Sequence, residues 1–294
     1  MRYLKRIIVV VVIAGAAVLG GVGWVGSERA LHPQSHGYKW TLVDYPALQG
    51  QRVSFRSKDG TTLAGMFFRG GTARTIVLSH GYGDNQMQML PYADFLHQAG
   101  FTVFTYDMRN RGQSGGDAVT IGARESSDLV STVDYLAGRP DVDAQHIGAF
   151  GLSLGGSVSI LAAAQDARMK AVVDDSGFSD AVSEIGNSFE HFIHLPAFPF
   201  ARISVAIAEL RAGVNVTGIR PIDVAKRIGP RPFFIIHCAG DTVVPPSHSQ
   251  ALFAAAAEPK SMWLLPQGGH IAARTVDPVE YARRVTAFFS DALP

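Results

Sequence analysis

Short apolar runs alternate along most of this chain with longer segments whose apolar positions recur at helical spacing. The runs at 52–57, 62–68 and 75–79 predict strands, and Asp59-Gly60 reads as a hairpin turn between the first two. Beyond them the pattern predicts a helix over 86–98, a strand over 102–106, a helix over 124–136 and a strand over 145–150. A helix over 157–164 follows, and then strands over 171–175, 232–238 and 261–265. Strands separated by helices need crossover connections. The sheet is therefore expected to be mainly parallel and covered on both faces, with the opening hairpin as an antiparallel edge.

Two stretches break this rhythm. Residues 179–229 are too long for a plain crossover, and Phe189, Phe192, Ile193, Leu195, Phe198, Phe200, Ile203 and Ile207 suggest two or three helices there. An insertion of this kind predicts a small helical cap over the strand ends. The other stretch is N-terminal. Residues 1–6 are basic, with Arg2, Lys5 and Arg6, and residues 7–27 then carry no charge. That is about the 20 apolar residues a helix needs to cross a bilayer.

A cleaved signal peptide has an apolar core of roughly 7–15 residues before a small-x-small site, and Ala14-Gly15-Ala16 offers one. The apolar run nevertheless continues through Val18, Leu19, Val22 and Trp24, which favours an uncleaved transmembrane anchor. With the basic residues in front, the N-terminus is expected to be cytoplasmic and the catalytic domain extracytoplasmic. The expected organisation is an anchor over 1–27, a polar, proline-interrupted linker over 28–50, and a domain over 51–294. Every candidate catalytic residue lies at or beyond His80, so an enzyme lacking residues 1–27 is expected to remain active and become soluble.

The candidate chemistry centres on Gly151-Leu152-Ser153-Leu154-Gly155, at the junction of a predicted strand and a predicted helix. A Gly-x-Ser-x-Gly in that setting is a nucleophile elbow. Two further residues follow at the ends of later strands: Asp241 in Ala239-Gly240-Asp241, and His270 in Pro266-Gln-Gly-Gly-His270. Serine, acid and histidine in that order supply a nucleophile, an orienting carboxylate and a base. Asp174 or Asp175 is an alternative acid. Two backbone amides should receive the oxyanion: Leu154, after the nucleophile, and Tyr82, in the loop His80-Gly81-Tyr82-Gly83. His80 itself could instead be a base or ligand. Arg109 and Arg111 are expected to stiffen the 107–116 loop. His191 and His194 have helical metal-ligand spacing but no evident further ligands.

The ordered set His80-Gly81, Asp107 through Gly115, Gly151-x-Ser153-x-Gly155-Gly156, Gly240-Asp241 and Gly269-His270 resembles the α/β-hydrolase superfamily, over roughly 51–293. Within it the chain is most similar to the membrane-anchored serine hydrolases called the BEM46-like group. The resemblance implies Ser153 as nucleophile, His270 as base, Asp241 as its orienter, no cofactor and no metal. It also implies hydrolysis of carboxylic esters or thioesters, lipid-like acyl substrates among them. A small serine peptidase or amidase, or a catalytically silent membrane-tethered binding protein, are the alternatives.

Composition narrows the remainder. The 294 residues are 47% hydrophobic and 17% charged, enough for one sizeable α/β core. A net charge of +1 gives no footing for nucleic acid. One cysteine, Cys238, excludes an internal disulfide framework.

The uncharged N-terminal run yields a direct expectation. The mature protein should keep its N-terminus and fractionate with membranes, resisting extraction by high salt or carbonate. Intact-mass measurement on the membrane fraction checks this. A mature chain beginning near Ala17 would identify a cleaved signal peptide.

Overall fold

The strands of the sheet meet in the order β1-β2-β4-β3-β5-β6-β7-β8. They are β1 (Gly50–Arg56), β2 (Thr62–Phe68), β3 (Thr75–Ser79), β4 (Thr102–Tyr106), β5 (Ile147–Leu152), β6 (Met169–Asp175), β7 (Phe233–Cys238) and β8 (Lys260–Leu265). The structure is a computed structural model and describes residues 2–35 and 40–294. Part of the expected 28–50 linker, residues 36–39, lies outside the described residues. β2 pairs antiparallel with both β1 and β4, and from β4 onward each pairing is parallel. This is the α/β-hydrolase fold the sequence predicted, with its antiparallel edge. The hairpin turns at Asp59-Gly60, where the Gly60 amide donates to the Ser57 carbonyl at 2.8 Å.

The helices are α1 (Arg2–Leu31), α2 (Leu90–Gln98), α3 (Glu125–Ala137), α4 (Leu154–Ala163), α5 (Ala181–Ser188), α6 (Ala197–Ala212), α7 (Pro221–Val224), α8 (Ser247–Ala255), α9 (Ala273–Val276) and α10 (Pro278–Ala292). Alternation along the buried strands sends side chains to two separate cores. Val77, Phe104 and Val172 pack with Leu129 and Val133 of α3 and Val158 of α4. Ile76, Leu78 and Phe150 face the other way, onto Leu90 and Leu96 of α2 and Tyr281 and Phe289 of α10. Helices on both faces leave the strand ends as the open surface, where loops can carry chemistry.

Two arginines fix the loop after β4. Arg109 is buried and forks onto Asp128 of α3 at 2.7 and 2.6 Å, with a further bond to Asp59 at 3.0 Å. Arg111 donates to the carbonyls of Asp84, Gly83 and Pro33 and to the Ser35 hydroxyl. Both do what the sequence suggested. Arg111 also ties down the chain leaving α1.

The cap follows β6. α5 continues into a π turn, Phe189–Ile193, and the helical unit Ala181–Ile193 meets α6 at 116°. Its helices lie within the predicted 179–229 insertion. α1 is longer than the uncharged run, reaching Leu31, and is apolar enough to cross a membrane. Most of it stands free of the domain: Ile7 to Ile13 are exposed, whereas Gly23, Gly26, Ser27 and Leu31 are buried.

Candidate active site

The chain reverses direction at Ser153 with no residue to spare. Ser153 adopts φ 53° and ψ −120°, a conformation that L side chains disfavour, and α4 begins at the next residue. Helix formation thus starts earlier than the predicted 157, because both glycines after the serine fit inside the first turn. A Cβ on Gly151 would overlap the backbone of Gly155, and one on Gly155 would overlap the carbonyls of Ser79 and His80. The turn is held by the Ser153 amide donating to the Asp175 carbonyl at 2.8 Å. It leaves the Ser153 side chain at the strand end, half-buried, above the N-terminus of α4.

Loops from two other strand ends converge on it. Ser153 Oγ lies 2.9 Å from His270 Nε2, and His270 Nδ1 lies 2.7 Å from Asp241 Oδ2. Asp241 can only accept when ionised. Nδ1 therefore carries the proton and Nε2 is free to accept from the serine hydroxyl. Asp241 is itself tightly placed: Oδ1 accepts from the amides of Val243 and Val244 at 2.9 and 3.0 Å. Burial opposes its charge, but hydrogen bonds from His237 and His270 and the backbone outweigh that and hold the carboxyl far below the usual range.

The sequence reading missed His237. It sits in the apolar strand Phe233–Cys238, fully buried, with Nε2 at 2.9 Å from the Val244 carbonyl and 3.3 Å from Asp241 Oδ2. Ser249 Oγ is hydrogen-bonded to its other ring nitrogen. Burial works against its protonation, yet the bond to Asp241 raises its pKa overall. The one available signal was a histidine in an otherwise apolar strand directly before the acid.

The other candidates have settled partners. Asp175 accepts from the Tyr281 hydroxyl at 2.6 Å and the Ser176 hydroxyl at 2.8 Å, turned into the core. Burial pushes the Asp174 carboxyl up to about 7. His80 accepts from the Met108 amide at Nε2, 3.0 Å, and donates from Nδ1 to the Gly81 carbonyl, 2.8 Å. Burial lowers its pKa to about 4, so it is a neutral strut under the loop rather than a base. The amide of Leu154 opens α4, where backbone donors lack intrahelical partners. Tyr82 sits across the same cavity.

That cavity is about 430 Å³, and Ser153 and His270 form part of its wall. Ile121, Phe178, Ile185, Phe189, Phe192 and Ile193 make it mainly apolar. One wall comes from α1: Gly26, Arg29 and Ala30 face the cavity, and the Tyr82 hydroxyl donates to the carbonyls of Arg29 and Ala30 at 2.7 and 3.1 Å. The segment 1–27, whose removal is expected to leave a soluble and active enzyme, thus contributes Gly26 to the cavity wall. The sequence reading also missed Glu184. This cap carboxyl lines the cavity with 8% of its surface exposed. Its Oε2 has no hydrogen-bond partner among the described residues, and His248 Nε2 stands 4.0 Å away.

Known proteins align with this arrangement. Residues 33–205 match the family described as X-Pro dipeptidyl-peptidase (S15 family). The uncharacterized protein YfhR of Escherichia coli (strain K12) is 30% identical over 230 residues, covering 75% of this chain and 73% of that protein. The uncharacterized protein YqkD of Bacillus subtilis (strain 168) is 27% identical over 222 residues, covering 75% and 72%. Among solved structures, the Pyrococcus furiosus esterase Pf2001 superposes with a TM-score of 0.76 at 24% identity, over 90% of this chain and 99% of that one. An acetyl xylan esterase from Paenibacillus sp. R4 gives 0.66 at 18% identity, over 92% and 93%. At those identities the structural likeness speaks for the fold.

Glu184 carries a pH signature. Burial raises its pKa from 4.5 to about 8, against smaller lowering effects from Ser188 and Asn187. The native state then keeps a proton that the unfolded chain has released. Stability should fall as pH rises between about 4.5 and 8 and level off above that. Glu184→Gln should reduce this slope, being neutral with respect to wild type at pH 5 and relatively stabilised at pH 8. Urea unfolding at the two pH values measures it; an unchanged slope would show that Glu184 is ionised in the native state.

Proposed function

The chain belongs to the family described as X-Pro dipeptidyl-peptidase (S15 family), within the α/β-hydrolase superfamily, and we propose that it is a serine hydrolase of carboxylic esters or thioesters. The observation that carries this is the unbroken hydrogen-bonded line Ser153–His270–Asp241, at 2.9 and 2.7 Å, opening into a mainly apolar cavity. Within the superfamily we group it with membrane-anchored, BEM46-like hydrolases, because α1 is long and apolar enough to span a bilayer. Arg2, Lys5 and Arg6 favour a cytoplasmic N-terminus and an extracytoplasmic catalytic domain.

In this mechanism His270 Nε2 takes the Ser153 proton as Oγ attacks the carbonyl carbon. Asp241 holds Nδ1–H in place and stabilises the imidazolium that forms. The amides of Leu154 and Tyr82 receive the tetrahedral oxyanion. When the intermediate collapses, His270 returns the proton to the leaving alcohol or thiol. Water activated by the same histidine then releases the acid from Ser153. His237 and the Val243 and Val244 amides keep Asp241 ionised and oriented, so the acid need not be assembled when substrate arrives.

The family description favours a second reading, removal of X-Pro dipeptides, and one residue could serve it. Glu184 is a carboxyl in the cavity wall, where a peptide's N-terminal ammonium would need a counter-charge. Against this, burial keeps that carboxyl protonated up to about pH 8, and the rest of the wall offers a peptide backbone little to bond with. These features support esters as the preferred substrates.

A panel of 4-nitrophenyl esters of increasing chain length, run beside an X-Pro anilide, tests both readings. Esters should be turned over and the anilide should not. Ser153→Ala should abolish turnover while preserving the fold. Asp241→Asn should lose on the order of 10⁴-fold in rate, and Asp175→Asn far less. The reverse ranking would move the acid to β6, and preferential anilide cleavage would favour the peptidase.

A further inference from the structure

α1 reaches the catalytic cavity through an unusually close contact with the cap. A Cβ on Gly23 would stand 2.5 Å from Ile203 and 2.9 Å from Ile207 of α6, and one on Gly26 would stand 2.8 Å from Phe189. Only glycine allows this approach. Arg211 locks it from α6, its guanidinium 4.3 Å over the Trp24 ring and 2.9 Å from Ser27 Oγ. The helix end is therefore a fixed part of the domain rather than a flexible tether.

Beside this contact lies a second apolar hollow of about 290 Å³, between Gly21, Val22 and Val25 of α1 and Phe189, Ile193 and Leu195 of the cap. It shares Gly26, Arg29, Phe189 and Ile193 with the catalytic cavity, so the two adjoin. Its depth follows from the helix. With roughly 20 residues in the hydrocarbon, counted from Ile7, Val22 and Val25 fall at the far edge of the membrane, and the first charges are Glu28 and Arg29. The cap is suited to that level: Phe192 and Phe198 are 63% and 74% exposed, and the bent pair of cap helices is as apolar as a membrane segment.

We propose that α1 and the cap together form an acyl groove, running from the outer edge of the bilayer to Ser153, that takes the long hydrocarbon chain of a membrane-resident ester. The anchor is then a wall of the substrate site as well as a tether. The ester of a membrane lipid lies at interfacial depth, level with the groove, and the chain can pass from lipid to protein without crossing water. This inference rests on Ser153 being the nucleophile, and its test separates the two.

The full chain in phosphatidylcholine vesicles is treated with a long-chain alkyl fluorophosphonate carrying a diazirine at the far end of its chain. Ser153 Oγ bonds to phosphorus, fluoride leaves, and the serine proton passes to His270. Photolysis then links the chain end to whatever it touches. Cross-links should fall within 21–29 and 189–195. Ser153 labelled with cross-links confined to the opposite wall, at Ile121, Phe178 or Val243, would overturn the groove and leave the hydrolase reading standing. Absence of labelling at Ser153 would refute both. Val25→Trp supplies an independent arm, since Val25 is half-exposed and its replacement does not disturb a core. It should lower the ratio of hexadecanoyl to butanoyl ester turnover at least tenfold, as burial of a few methylenes implies. An unchanged ratio would overturn the groove.

Discussion

The reversal at Ser153 is the constraint on which the rest of the site depends. A strand must become a helix across a single residue at positive φ, and that requires backbone to touch backbone at Gly151 and Gly155. The strain, typically 1–3 kcal/mol for such a residue, is sustained because β5 is buried between β3 and β6. The same geometry lifts the serine out of the sheet and sets the free amides of α4 behind it. Asp241 comes in on the loop after β7 and His270 on the loop after β8, where Ile271 is also held at a positive φ of 50°.

Around that turn, the protein invests its buried polarity in Asp241. Two histidines at Oδ2 and two backbone amides at Oδ1 hold one carboxylate ionised. The other carboxyls near the strand ends are treated differently: Asp174 and Glu184 are pushed toward the neutral form by burial, and Asp175 is bonded into the core. In the proposed mechanism, the negative charge held on Asp241 next to His270 is the electrostatic condition for that imidazole to accept the serine's proton. The cap and α1 add the complementary condition, an apolar chamber that a polar substrate would enter only at a cost.

Much of this was legible in the sequence. The strands over 62–68 and 102–106 have the predicted bounds, since short apolar runs between turn residues have few other ways to fold. Ser153, Asp241 and His270 stand out because glycine-rich turns after apolar strands mark strand ends, where chemistry collects. His237 and Glu184 did not stand out. Each owes its place to residues distant in sequence: His237 to Ser249 and Val244, Glu184 to the cavity opposite it. The role of Gly26 and Arg29 was hidden for the same reason. Hydropathy identifies an apolar helix but not which neighbour its last turns touch, and here Gly23 and Gly26 dock on α6.

The central claim, that Ser153 forms the covalent intermediate, is tested most directly by trapping it. The enzyme is mixed with an excess of a 4-nitrophenyl ester, quenched in acid within the first turnover, and its peptides are weighed. A burst of nitrophenol matched to the enzyme concentration is expected, with the acyl mass on the peptide that carries Ser153. A burst with the acyl group on any other residue, or steady turnover by the Ser153→Ala protein, would contradict it.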